Sequence, residues 1–314
     1  MNNDNNDILG PDAERLRSVL FAFNDKRVQR LQQANTRLIH YTSAEVAYRV
    51  IQNGHVWMRN AIAMNDYSEI QYGENCLQYA WNAVGGKRLQ TLLESIYPTM
   101  VEQIKHDHDY TQSRIRSNTF ITCVSEHSEL ENETGRLSMW RAYGGDSGVA
   151  LIFSNSVINA PVDRLKAYSS PVAYLTAKQF ETHLNETASK LEDDKNALLS
   201  CGYQMTLSLI LLAFRFAILS TKHPGFAEEQ EWRVIYTPDL HISEHVKKSF
   251  EVVAGLPQVV YKLPIDDISK IETVLIGPTK YPKTLYDTFV ELLLQAGVSD
   301  ADRRVVVSDM PLRK

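Results

Sequence analysis

The chain predicts an α+β fold with a helical insertion, on three observations. Strand-like and helix-like segments come in mixed order, without the regular alternation of a doubly wound parallel sheet. Short apolar or alternating runs near 38–42, 118–125, 148–153, 231–236, 258–262, 271–276 and 304–307 have strand periodicity, whereas Lys178 to His223 carries two long helical patterns. No Pro/Gly/Ser linker divides the 314 residues, a length that supports a substantial core. The expectation is one domain. Residues 1–12 form a disordered tip, 13–33 an N-terminal helix, 37–174 and 226–314 a sheet core, and 175–225 the helical insertion.

Each element has a local reason. In Ala13 to Gln33, Leu16, Val19, Leu20 and Phe23 fall on one helical face, and Lys26, Arg27 and Arg30 form a basic stripe on the other. Leu38-Ile-His-Tyr-Thr42 is a short strand; Ser43 caps a helix from Ala44 to Gln52, which Asn53-Gly54 closes. His55 to Met58 is a further short strand. Asn65-Asp-Tyr-Ser-Glu69 enters a helix with an Asn/Asp cap and a carboxylate in the first turn, and helices fill the span to Ser117. Asn118 to Ser125 alternates as a strand, and the acidic loop Glu126 to Glu133 follows. Leu137 to Tyr143 is a helical turn stopped by Gly144-Gly145, Gly148 to Phe153 is a buried strand, and Leu165 to Tyr174 is strand-like. After the insertion come strands at Glu231 to Tyr236, Gln258 to Lys262 and Ile271 to Ile276. A helix at Lys283 to Gln295 and a closing strand at Arg304 to Val307 complete the chain.

Bulk properties narrow the classes of function. With 44% hydrophobic and 23% charged residues the composition is that of an ordinary globular protein, and a formal charge of -5 argues against a broad electrostatic nucleic-acid binder. Cys76, Cys123 and Cys201 lack metal-ligand spacing; this sparse, odd count suits a reducing cytoplasm. The polar, acidic start Met1 to Asp7 is unlike a signal peptide. The apolar run in Thr206 to Leu219 is interrupted by Arg215 and reads as a core helix rather than a span. No Cys-x-x-Cys, Walker loop, Gly-x-Gly-x-x-Gly or Gly-x-Ser-x-Gly elbow is present, and no metal is expected.

The chemistry-bearing stretch is Phe226-Ala-Glu-Glu-Gln-Glu-Trp-Arg-Val-Ile-Tyr236. In an extended chain alternate side chains share a face, so Glu229, Glu231 and Arg233 are expected to project together, opposite Trp232, Val234 and Tyr236. Such a carboxylate pair suits a ribose diol or a developing positive charge. His40 emerges from the early strand as a second polar group for the same site. The bland alternatives are a histidine satisfied by a backbone carbonyl and solvated edge-strand carboxylates. Asn65-Asp66-x-x-Glu69 is equally a helix cap or a ligand loop, and Met139-Trp140-Arg141-x-Tyr143 is foremost a packing motif.

The blocks His40-Tyr41-Thr42, Asn65-Asp66-x-x-Glu69, Met139-Trp140-Arg141-x-Tyr143 and Glu229-x-Glu231-x-Arg233, in that order, resemble an uncharacterised bacterial domain-of-unknown-function family. More distantly, the chain is similar to ADP-ribosyltransferases. Leu38 to Thr42 looks like their first motif in its His version, Phe120 to Ser125 a degenerate second, and Glu229-Gln-Glu231 the third. That resemblance implies mixed and antiparallel sheets of that family's kind and NAD as substrate. It assigns Glu231 to the ribose 2′-hydroxyl and to the oxocarbenium-like transition state. Glu229 is assigned to the incoming nucleophile, and His40 to the adenosine-side ribose. Arg233 or Arg141 is matched to the pyrophosphate. Tyr41, Thr42, Asn65, Asp66, Ser125 and Tyr143 complete the implied cofactor-binding set; Tyr143, Tyr67 and Trp140 are the candidates to stack on nicotinamide.

The implied activity is transfer of ADP-ribose to a macromolecule, a nucleic acid or a protein. The implied setting is a bacterial toxin or phage-defence effector of the cytoplasm, with an antitoxin or regulatory partner and no membrane. For a nucleic-acid acceptor, the basic stripe and His106 to Arg116 are the places to look. An NAD glycohydrolase and a non-catalytic sensor are the alternatives.

Overall fold

The computed structural model describes residues 10–63, 67–157, 162–253 and 255–311. The chain opens with α1 (Pro11–Leu20), α2 (Ala22–Gln33), β1 (Arg37–Ser43), α3 (Ala44–Asn53) and β2 (His55–Asn60). Three helices follow, α4 (Tyr67–Asn82), α5 (Val84–Ile96) and α6 (Met100–Ser117), and then β3 (Phe120–His127), α7 (Leu137–Tyr143) and β4 (Ser147–Phe153). Next are α8 (Val162–Leu165), β5 (Ala167–Pro171), β6 (Ala173–Tyr174), α9 (Ala177–Asp193), α10 (Lys195–Leu219) and β7 (Thr221–Lys222). The chain closes with β8 (Glu231–Tyr236), β9 (Lys247–Val253), β10 (Leu256–Pro264), β11 (Ile271–Thr279), α11 (Pro282–Gln295), α12 (Ala301–Arg304) and β12 (Val305–Val307). The fold is α+β, with a mostly antiparallel sheet in which β11 and β12 run parallel.

The chain divides into two compact units. The first takes residues 1–29, 61–118 and 171–226; the second takes 30–60, 119–170 and 227–314. The helices expected over 175–225 are α9 and α10, and α1 and α4–α6 join them in the first unit.

In this helical unit, α10 packs against α1, α4, α6 and α9. It is the one helix among the described residues that is long and apolar enough to cross a membrane. Gly202, at φ 74° and ψ 168°, breaks it into two segments. The buried side chains of Leu207, Ile210, Phe214 and Ile218 mark it as a core helix. Gly73 of α4 lies so near the Ile218 carbonyl that a Cβ would sit 2.2 Å from that oxygen. Only glycine permits this approach.

The second unit is built on the sheet order β12-β11-β4-β1-β3-β2-β10-β9, with β8 pairing both β3 and β5. One face of β4 and β11 packs Val149, Leu151, Val274 and Ile276 against α3 and α11. The opposite face packs Ile39, Tyr41, Ala150, Ile152 and Leu275 against Met139 and Trp140 of α7. Alternation along β1 and β4 supplies both faces, as a strand covered on two sides requires. Ser43 caps α3 by accepting a bond from the Val46 N–H at 3.3 Å, and Gly54 ends that helix at φ 65°. Both match the expectation.

Four features depart from it. The N-terminal helix begins at Pro11, inside the stretch expected to be a disordered tip, and Phe21 interrupts it between α1 and α2; residues 1–9 lie outside the described residues. Arg17 spans that interruption with a forked bond to both Asp25 oxygens, at 3.2 and 3.0 Å. Leu165 to Tyr174 supplies two strands, β5 and β6, which pair in different sheets. Strand β9 was not expected. It is an edge strand whose Phe250 and Val252 face solvent, so its pattern lacks a core-facing apolar series.

Candidate functional site

The site is centred on β3, whose neighbours change along its length. Residues 120 and 121 pair with β2, and residues 125–127 pair with β1. Residues 122–124 pair with neither strand, as β1 leaves β3 beyond Ile39, while β8 runs along the other edge of β3 from Phe120 to Ser125. A sheet split of this kind leaves backbone groups that need partners. His40 supplies one: its Nδ1 donates to the Cys123 carbonyl at 2.8 Å. Its ring is held in one tautomer by that bond, and burial pushes its pKa below the ordinary histidine value. The half-buried, carbonyl-satisfied histidine named as the bland alternative is therefore the ground-state arrangement.

Ile39 of β1 faces Ser125 of β3, which faces Glu231 of β8. Directly paired residues share a sheet face, so Ser125 and Glu231 are neighbours on the face of Ile39, and His40 starts from the other face at the edge of the split. His40 and Glu231 thus come from elements separated only by β3. Ser125 is buried, as is Glu231 at 5% exposure.

Glu231 is not a solvated edge charge. Arg233, at 0% exposure, donates from Nε to Glu231 Oε1 at 2.8 Å. The two side chains share a face as the strand period requires, and their bond is charge-assisted. Glu229 departs from the expected trio. It belongs to a short 3-10 turn, Pro224–Glu229, and Gln230 adopts φ 45° before β8 begins. A left-handed residue between them breaks the two-residue alternation, so strand geometry does not align Glu229 with Glu231.

Arg136, which sequence reasoning did not single out, fixes this turn. Its guanidinium is 8% exposed and forks onto Glu131 at 2.9 and 3.0 Å. It also donates to the carbonyls of Glu228 at 2.7 Å, Glu229 at 3.2 Å and Glu126 at 3.2 Å. One planar cation thus ties the acidic loop, β3 and the approach to β8, a geometry a lysine ammonium does not match. Its backbone N–H donates to the Tyr41 hydroxyl at 2.8 Å. Tyr41 packs edge-on against Trp140 at 4.9 Å, and burial pushes its pKa up to about 12. These contacts place Tyr41 within the core, and Thr42 is half-buried on β1. The one sequence signal for Arg136 was its position just after the acidic loop.

Trp140 is 1% exposed, and its Nε1 donates to the Thr134 carbonyl at 2.8 Å. Gly135, Gly148 and Gly277 crowd the indole, with Cβ positions that would lie 2.7, 3.1 and 2.7 Å from its atoms. The motif is a packing one, as read. Arg141 and Tyr143 sit at the exposed end of α7. Asn65 and Asp66 lie outside the described residues, as does the side chain of Tyr67. Glu69 belongs to the helical unit, where its carboxylate meets Lys222 Nζ at 2.8 Å. Lys222, 2% exposed and stacked over Phe226 at 5.0 Å, is a second buried cation that pattern reading missed.

Residues 139–234 match the family model described as protein of unknown function (DUF2971). The matched DUF2971 segment runs from within α7 to within β8. It contains two of the four motif blocks, those carrying Trp140 and Glu231, and bears out the resemblance to an uncharacterised family. His40, Ser125 and Arg136 precede the DUF2971 segment, and the family's description states no activity. No curated protein and no solved structure matches the chain.

Proposed function

We propose that the sheet unit binds NAD at the β1/β3 split and transfers ADP-ribose to a macromolecular acceptor. The reading is supported chiefly by one observation: β1 and β3 diverge immediately beyond the Ile39–Ser125–Glu231 row, with His40 at the point of divergence. A dinucleotide entering there meets an imidazole that starts from one face of the sheet and a carboxylate two strands away that starts from the other.

In the reaction the bond between nicotinamide nitrogen and ribose C1′ breaks, and its electron pair leaves with neutral nicotinamide. Glu231 hydrogen-bonds the ribose 2′-hydroxyl and stabilises the positive charge that develops on the sugar. An acceptor oxygen or nitrogen then forms a new bond to C1′ and gives up its proton to a base, for which Glu229 stands in the preceding turn. Arg233 keeps Glu231 in place, and Arg136 fixes the turn that carries Glu229. Arg141, exposed at the end of α7, is the cation available for a pyrophosphate.

Titration calorimetry tests the binding step. Wild type is expected to bind NAD, and His40→Ala to bind it about ten-fold more weakly, the loss of one hydrogen bond to a charged or buried group. Equal affinity in the two would remove His40 from the site.

A second reading draws on a specific observation. Glu231 and Arg233 are both withdrawn from solvent and bonded to one another, an arrangement that also suits a purely structural ion pair in a non-catalytic sensor. Absence of both NAD binding and turnover would select it.

A further inference from the structure

The helical unit contains a cavity of about 260 Å³ beside the interruption at Phe21. Its floor is made by buried side chains of Leu77, Leu89, Phe180 and Phe214, and Leu20 and Leu184 form its walls. Phe21 stands edge-on to Phe216 at 6.0 Å over one side. Six consecutive residues, Val19 to Asn24, line it. The interruption between α1 and α2 thus forms part of the cavity wall. An apolar void of 150 Å³ admits benzene, so by proportion this volume has room for about ten carbons.

The lining is not apolar throughout. Lys26 of α2 and Lys190 of α9 both border the cavity, and neither has an ion-pair partner among the described residues. His183 and Glu186 also border it, with their side chains 3.7 Å apart. A chain-shaped apolar body with an anionic head fits this distribution, the body within and the head at the two ammonium groups.

We propose that this cavity binds a medium-length acyl chain ending in a carboxylate. The site lies wholly within the helical unit and is independent of the NAD reading. The carbon chain lies against the apolar side chains of Leu77, Leu89, Phe180 and Phe214. The carboxylate stays at the mouth, where it remains partly hydrated and meets Lys26 and Lys190.

The test is calorimetric titration of the full chain with hexanoate, octanoate, decanoate and decan-1-ol. From hexanoate to decanoate, affinity is expected to rise about four-fold per added methylene. Ala213→Phe, which fills the cavity from α10, is expected to abolish decanoate binding. The double variant Lys26→Glu/Lys190→Glu is expected to weaken decanoate about ten-fold and leave decan-1-ol unchanged. Should Ala213→Phe fail to fold, the chain-length series on wild type still decides. No saturable decanoate binding, the same affinity for all three acids, or equal decanoate binding by the charge-reversed variant would each overturn the proposal.

Discussion

Arg233 holds Glu231 through a 2.8 Å bond between side chains that are both sealed from solvent. This makes Glu231 at once the leading candidate for catalysis and half of a buried ion pair, so its replacement acts on stability as well as chemistry. Removing one partner of such a pair takes a charge-assisted bond from the other charge in a low-dielectric setting, which costs about 3 kcal/mol or more. Glu231→Gln is therefore expected to lower the urea midpoint clearly. Replacing both partners by apolar residues, Glu231→Leu/Arg233→Met, is expected to recover most of that loss. Denaturant titration of the three proteins checks this, and a neutral single variant would contradict it.

Arg136→Lys keeps the charge but loses the fork onto Glu131 and the simultaneous reach to three carbonyls. A destabilisation of about 2–4 kcal/mol is expected from the lost bonds. Measured by urea unfolding, a change below about 0.5 kcal/mol would show that Arg136 does not organise the turn before β8.

Gly277→Ala drives a methyl group into the Trp140 indole, since the added Cβ would lie 2.7 Å from it. Overpacking of this kind costs about 1–3 kcal/mol. The readout is the thermal midpoint, together with tryptophan fluorescence as a report on the indole's packing. An unchanged midpoint would mean that the cradle is looser than its geometry.

The strand and helix order was largely legible because alternation and helical periodicity record which faces are covered. Hence β1, β3, β4, β8 and α3 fall where the pattern put them. Context decided the rest. Glu229 looked equivalent to Glu231 by count, yet the left-handed Gln230 lies between them, and no Gly, Asn or Asp marks that position. Phe21 interrupts a helical pattern without Gly or Pro. Arg136 gives no periodic signal, since its role depends on carbonyls distant in sequence. The β1/β3 split was equally invisible, because strand pairing that changes partners midway is set by the whole sheet rather than by β3 itself.

The buried imidazoles make stability depend on pH. Burial, the largest effect on each, holds His127 and His40 below the ordinary histidine value. The Asn132 bond to His127 and the Cys123 bond to His40 oppose it without cancelling it. The unfolded chain takes up protons first as pH falls. Stability is therefore full above the ordinary value and declines below about pH 6.5. Urea midpoints between pH 8 and pH 5 are expected to fall on the acid side, and His127→Gln to flatten some of that fall. A midpoint that rises with acid would reverse the assignment.

The most direct measurement is mass spectrometry of purified protein incubated with NAD and a bacterial lysate. Nicotinamide release together with an ADP-ribose adduct on a macromolecule is the expected result, and both are lost in His40→Ala at low NAD. An absence of nicotinamide release from wild type across a full range of lysates and NAD concentrations would contradict the enzymatic account.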